Sequence, residues 1–198
     1  RPLYYGLTGL AVIIALSAFA LPDRKETMLK QVNNLEYVKA YPVKTMDSDE
    51  LAFILMDADP NLQIVDLRSQ KEFDAVSLPN STRLNIENLF EKDAHKLLTI
   101  KRKKNLFLAD DEITAKKAAV LASELGYSEV YLLKGGFNEF QSDILNFKIP
   151  GEAATQHEID TYRFRTQASK VLPVLIAENK LKQGSAVPKK SKRIVGGC

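Results

Sequence analysis

The sequence is poor in the residues that most often carry catalysis or bind metals. Its 198 residues include one cysteine, Cys198, and two histidines, His95 and His157. A single cysteine excludes a disulfide within the chain, so the cysteine count does not indicate a redox compartment. Neither histidine has a cysteine or a second histidine at the spacing of metal ligands. The sequence therefore predicts no metal site and no cofactor.

A net excess of basic charge is lacking outside the C-terminal region. Hydrophobic residues make up 45% of the chain and charged residues 27%, which is typical of a globular protein. The formal net charge is +3, but without the six basic residues after Glu178 it is −3. Because the basic excess is not spread over a folded face, the sequence argues against nucleic-acid binding. The six residues are Lys180, Lys182, Lys189, Lys190, Lys192 and Arg193.

Residues 2–22 form an uncharged apolar segment near the N-terminus. As a helix, such a segment would be roughly 30 Å long, about the hydrocarbon thickness of a bilayer. We predict a single-pass transmembrane anchor that contacts membrane lipid. The alternative is a cleaved signal peptide, since Ala18-Phe19-Ala20 fits a cleavage site. We expect further residues before Arg1, so the count of flanking basic residues leaves the side of the membrane open.

From Tyr41 onward, short β-rich runs alternate with amphipathic helical segments. This alternation predicts an α/β domain over residues 41–150, with a mainly parallel sheet and helices on both faces. Ligands of such sheets bind at the carboxyl ends of the strands, which directs attention to the loop after the strand NLFLA. The predicted strands comprise residues 43–45, 62–67, 82–85, 105–109 and 130–133.

Three segments flank this domain. We predict a juxtamembrane connector, a C-terminal extension of one or two helices around Pro173, and a flexible basic tail. Within the domain, the basic run Lys101–Lys104 precedes a buried strand, which is typical of a solvated strand entry; the alternative is docking to an acidic surface. The flanking segments are residues 23–40, 151–182 and 183–198.

Two motifs of the domain resemble the signatures of rhodanese-like domains. The stretch IVDLRSQKEFDAVSLPNSTRLNI has a strand that ends in Asp-x-Arg, then Glu-Phe, then a Leu-Pro turn. The later stretch LGYSEVYLLKGGFNEF has Gly126, a strand, and the pair Gly135-Gly136 before an aromatic helix. Their order and spacing imply a rhodanese-like fold over about residues 41–147. The residues that match the first signature are Asp66, Arg68, Glu72, Phe73, Leu78 and Pro79.

The departures from the family pattern concern the catalytic loop. The resemblance implies a nucleophilic cysteine at Leu108 or Ala109, and neither residue carries sulfur. The family's loop arginine is absent too, and three carboxylates stand in the loop, where they would raise the pKa of a thiol. We expect one of them, Asp110 or Asp111, to occupy the anion site at the following helix N-terminus. The vestigial loop comprises Leu108, Ala109, Asp110, Asp111, Glu112, Ile113 and Thr114.

Three functional hypotheses follow. The first is a non-catalytic rhodanese-like module, held at the membrane as a subunit or docking partner of an integral membrane protein. The alternative is a carrier or acceptor of sulfane sulfur that uses the thiol of Cys198. The third is an enzyme of another class with Asp110 and Asp111 as acid and base, which we rank last because no partner histidine, lysine or metal motif accompanies them. We therefore expect no sulfurtransferase activity.

Overall fold

A computed structural model describes residues 23–152 and 155–185 of the chain. The predicted anchor, most of the predicted tail and Cys198 lie outside these residues. The chain divides into two compact units, and the first ends at Tyr41. Within the described part of the chain, no helix combines the length and the apolar character that crossing a bilayer requires.

The described part of the first unit is mostly helical, and the predicted connector, which the sequence allowed to be partly helical, contains two helices. It contains α1 (Arg24–Val32) and α2 (Leu35–Ala40). Each begins at a side-chain cap, because the carboxylate of Asp23 accepts from the Lys25 N–H group and the amide of Asn34 accepts from the Glu36 N–H group.

The second unit begins at Pro42 and contains a five-stranded sheet in the order β1-β5-β4-β2-β3, with every neighbouring pair parallel. The predicted α/β fold with a parallel sheet is confirmed. Its elements are β1 (Lys44–Met46), α3 (Ser48–Met56), β2 (Leu62–Asp66), α4 (Gln70–Ala75), β3 (Ser81–Arg83), a 3-10 helix (Ile86–Phe90), α5 (Lys92–Leu98), β4 (Lys104–Leu108), α6 (Glu112–Glu124), β5 (Val130–Leu133), α7 (Gly136–Phe140), a π-helical turn (Gln141–Leu145) and α8 (Gln156–Ser185).

Helices cover both faces of this sheet. Successive strand residues point to opposite faces, so neighbours in one strand join different clusters. In β5, Leu133 packs in a cluster with Leu51 of α3 and Leu172 of α8, whereas Leu132 packs with Ala115 of α6. Helices α3 and α8 therefore lie on one face and α6 on the other.

The last helix, α8, extends further than the predicted C-terminal extension. Of the two alternatives for the C-terminal extension, the structure has one helix, which continues through Pro173 and ends at Ser185, three residues beyond the predicted end at 182. A proline inside a helix costs about 3 kcal/mol. Burial of Ala168, Leu172 and Ile176 against the sheet offsets this cost, and Pro173 itself lies on the exposed side.

The strand bounds agree with the predicted ones to within two residues. The largest difference is in β3, which ends at Arg83 and not at the predicted Asn85. Asn85 is instead the N-cap of the 3-10 helix, so its backbone starts a helical turn where the sequence pattern suggested continued strand.

Because the strands are parallel, the loops after β2, β4 and β5 meet at one edge of the sheet. The register pairs Asp66 at the end of β2 with Leu108 at the end of β4, and the Leu67 N–H group donates to the Leu108 carbonyl at 2.9 Å. This edge contains the vestigial loop.

Candidate functional site

The loop between β4 and α6 has only three residues, Ala109, Asp110 and Asp111. Its carbonyls are held by the start of α7. The Phe137 N–H group donates to the Ala109 carbonyl at 2.8 Å, and the Asn138 N–H group donates to the Asp110 carbonyl at 3.2 Å. The loop backbone is therefore fixed against α7 through its carbonyl groups.

Gly136 makes this contact sterically feasible. It has a φ of 73°, in the left-handed region that favours glycine. A Cβ atom at this position would lie 2.7 Å from the Asp110 carbonyl oxygen and 2.8 Å from the Asp111 Cα atom. No side chain fits between α7 and the loop.

Asp111 is the N-cap of α6. Its carboxylate accepts from the Thr114 N–H group at 2.9 Å and from the Thr114 hydroxyl at 2.7 Å. These hydrogen bonds hold the pKa of Asp111 below its usual range, with the backbone bond from Thr114 as the largest cause. Of the two acids that we expected at the helix N-terminus, Asp111 is the one whose carboxylate lies there.

Asp110 lies beside this cap in a less favourable setting. Partial burial raises the pKa of its carboxyl group above the usual value, and the nearby carboxylate of Glu72 raises it further. Arg68 lowers it, whereas Asp66 and Asp111 both raise it. Three carboxylates and one cation thus act on Asp110, and the potential at the loop disfavours an additional anion.

The cation in this group, Arg68, is already engaged. Its Nη2 atom donates to Asp66 at 2.6 Å and to the Val76 carbonyl at 2.7 Å, and its guanidinium stacks 3.6 Å from the ring centroid of Phe137. The side chains of Arg68 and Asp66 are only 3% and 0% exposed. The pair therefore anchors the loop after β2 beneath the start of α7.

Two further acids stabilise neighbouring turns. Glu112 accepts from the Gly135 N–H group at 2.8 Å, which joins the start of α6 to the turn after β5. Glu72 forms a capping box with Ser69 at the start of α4, and the hydrogen bond from the Ser69 hydroxyl is the main reason that the pKa of Glu72 is lowered. Both carboxylates thus have local structural partners.

The comparison with known families agrees with this fold. Residues 49–143 match the sequence model of the rhodanese-like domain. These residues form a rhodanese-like domain. No curated protein matches the chain.

Solved structures of rhodanese-like proteins are similar to part of the chain. A rhodanese-related protein from Thermoplasma volcanium is 22% identical, with a TM-score of 0.41, and the match covers 49% of this chain and 89% of that chain. A single-domain sulfurtransferase from Saccharomyces cerevisiae is 22% identical, with a TM-score of 0.41, and the match covers 51% of this chain and 90% of that chain. A rhodanese-like domain from Anabaena is 19% identical, with a TM-score of 0.43, and the match covers 58% of this chain and 89% of that chain.

The two positions proposed for the missing cysteine differ in environment. In this rhodanese-like domain, Leu108 is the last residue of β4 and packs in the core cluster with Phe137, whereas Ala109 begins the loop and packs with Ala115 and Leu132. Both are buried. Cys198, the candidate sulfur carrier, lies outside the described residues.

The structure brings most of the predicted signature residues to this edge, but not all. Pro79 instead lines a separate groove with Ile54 and Leu175, and Phe73 is a half-buried residue of α4. Asn80 follows with a φ of 58°, a left-handed conformation that asparagine adopts more readily than most residues. Among the described residues, no cluster of histidines and acids is suited to hold a metal ion.

Sequence reasoning missed the role of α7. Neither the hydrogen bonds from Phe137 and Asn138 to the loop carbonyls nor the stacking of Arg68 on Phe137 was predicted. The pair Gly135-Gly136 was the available signal, because a glycine that begins a helix after a strand often allows a close approach of two backbones.

Proposed function

We propose that this chain is a non-catalytic rhodanese-like module that residues 2–22 hold at a membrane, where it serves as a subunit or docking partner of an integral membrane protein. The observation that carries the non-catalytic part is the cap of α6. The carboxylate of Asp111 accepts from the N–H group and the hydroxyl of Thr114 at this helix start, and no sulfur atom stands at Leu108 or Ala109.

The local charges support the same proposal. A nucleophilic thiolate and its persulfide are anions, and both need N–H groups or a cation close to the sulfur. Here the N–H group of Thr114 is bonded to Asp111, and Arg68 is bonded to Asp66. An acid-base role for Asp110 and Asp111 has less support, because Asp111 is engaged as a cap.

Restoring the cysteine alone is not expected to restore sulfur transfer. We predict that Ala109→Cys and Leu108→Cys, each made in a Cys198→Ser background, will have negligible thiosulfate:cyanide sulfurtransferase activity. The carboxylates and the burial of both sites should hold the pKa of the new thiol above the value of free cysteine, about 8.5. The pH dependence of iodoacetamide alkylation measures this pKa, and the background leaves only one thiol to react.

The matched control replaces the three carboxylates of the loop with uncharged amides of nearly the same shape. Adding Asp110→Asn, Asp111→Asn and Glu112→Gln to each cysteine variant should lower the thiol pKa, because asparagine still caps a helix but carries no charge. A thiol pKa below about 8.5 in either cysteine variant with the acids intact would contradict the claim that the loop disfavours anionic sulfur.

The accessory role is tested by its partner. The full chain should remain with membranes after a high-salt wash and should purify from native membranes in mild detergent with a stoichiometric integral membrane protein, identified by mass spectrometry. A variant without residues 1–22 should be released. Recovery of the chain as a lone monomer would overturn the accessory role, and a stable persulfide on Cys198 after polysulfide treatment would favour the sulfur-carrier alternative.

A further inference from the structure

The edge of the sheet opposite the vestigial loop carries a group of basic residues. In a parallel sheet all strands begin at the same edge, and here β1 begins with Lys44 and β4 with Lys104. Their ammonium groups lie 5.2 Å and 5.6 Å from the ring centroid of Tyr131 in β5. Two residues that are far apart in sequence thus place their charges over one aromatic ring.

The turn before β4 extends this group. The Lys103 N–H group donates to the Ile100 carbonyl at 3.4 Å, and Arg102 has a φ of 68°, so residues 100–103 form a tight turn. Ile100 is 44% exposed, and Lys101 and Arg102 are exposed as well. We call Lys44, Tyr131 and residues 100–104 the basic rim.

Acidic residues only partly neutralise the basic rim. Glu129 is 3.4 Å from the Lys44 ammonium group and also accepts from the Tyr131 hydroxyl at 3.1 Å. Asn61 lies next to the start of β4, because its carbonyl accepts from the Lys104 N–H group. The carboxylate of Asp59, two residues earlier, accepts from the Asn61 N–H group and forms no ion pair with Lys104. Among the described residues, no carboxylate forms an ion pair with residues 101–104, so the rim keeps a net positive charge.

We propose that the basic rim binds the anionic headgroups of a lipid bilayer, with Ile100 inserted among them. The lysines and Arg102 supply the charge complementarity, and each cation near an anionic membrane surface strengthens binding by about fivefold. An exposed isoleucine among these cations fits a bilayer interface better than it fits an acidic protein surface, because it can enter the apolar part of the interface.

The path of the chain favours the same occupant. This part of the argument rests on the proposed membrane anchor. Residues 23–43 connect that anchor to the beginning of β1, which is at the basic rim. With their two helices, these residues can span at most about 45 Å. The rim is therefore on the edge of the sheet at which the chain arrives from the anchor, and tethering raises the effective concentration of lipid there.

A single tryptophan can test the inference, because the chain has none. Full-length protein with Ile100→Trp is reconstituted into vesicles of brominated phosphatidylcholine, with or without brominated phosphatidylserine. We expect the tryptophan emission to shift to shorter wavelength and to be quenched by bromine only in the vesicles that contain phosphatidylserine. High salt should reverse both effects, because it screens the exposed charges.

Two controls separate lipid binding by the rim from mere proximity of the protein to the vesicle. Ile149→Trp makes the same substitution at a residue that is 60% exposed and lies in a groove with Ile159 and Tyr162 of α8; its emission should not depend on lipid charge. Adding Lys101→Glu, Lys103→Glu and Lys104→Glu to Ile100→Trp should abolish the quenching, since loss of three cations alone weakens binding on the order of a hundredfold.

The outcomes distinguish this inference from the proposed anchor. If the protein does not stay with neutral vesicles, the anchor fails, and the comparison between the two lipid compositions still tests the rim. Three results would overturn the inference: equal quenching of Ile100→Trp in both compositions, quenching in neither, or quenching that survives charge reversal. If the basic rim binds an acidic protein and not lipid, the tryptophan should be quenched in neither composition.

Discussion

Replacing Gly136 with alanine is expected to lower the free energy of unfolding by about 2–5 kcal/mol. The left-handed φ of 73° accounts for part of this loss, since a Cβ atom disfavours that conformation by about 1–2 kcal/mol. The remainder comes from the new Cβ atom, which would meet backbone atoms of Asp110 and Asp111 within 2.8 Å. Urea denaturation followed by circular dichroism measures the change.

Gly126→Ala is the matched control for this experiment. Gly126 also has a left-handed φ, 88°, but no atom lies within 4 Å of the position that the alanine methyl group would occupy. The free energy of unfolding of Gly126→Ala should therefore fall only by the cost of the left-handed φ, about 1–2 kcal/mol. Equal losses for the two variants would mean that the loop can move away from α7 and is not fixed by it.

The second large effect is expected at the buried ion pair. Arg68→Met should destabilise the domain by about 3–5 kcal/mol, because it leaves the carboxylate of Asp66 buried without its partner. The methionine keeps much of the side-chain length, so the loss of charge pairing and of the Val76 hydrogen bond is the main change. The same denaturation experiment measures it.

An exposed ion pair provides the comparison. Lys96 and Asp93 form a pair of 3.0 Å whose side chains are largely in solvent, so Lys96→Met should change stability by less than about 1 kcal/mol. Adding Asp66→Leu to Arg68→Met should recover part of the loss, since it removes the unpaired buried charge. An Arg68→Met variant as stable as Lys96→Met would show that the Asp66 carboxylate finds another partner or becomes protonated without cost.

The vestigial loop is held in place by contacts from two directions. Gly136 lets α7 bond to the loop carbonyls, and Arg68 joins β2 to the ring of Phe137 in α7. A clamped loop with a capped helix start is suited to present a constant surface to a partner. Under the proposed function it does not need to accept and release a sulfur atom.

The local patterns of the sequence determined the fold class. The alternation of strands and helices predicted the parallel sheet, and the strand from Val130 to Leu133 has the predicted bounds. Such patterns are informative because strand and helix periodicity arise from neighbours in the chain. The sequence also shows directly that Leu108 and Ala109 carry no thiol, since the single cysteine is Cys198.

Other features depended on contacts between distant segments, and only the tertiary structure decided them. Asp111 and not Asp110 is the cap because α6 begins at Glu112. The bonds from α7 to the loop join segments that α6 and β5 separate in the chain. The basic rim unites Lys44 with Lys104 because the sheet order puts β5 between β1 and β4. Helix α8 continues through Pro173 because its opposite side is buried against the sheet, and burial of this kind outweighs local helix propensity.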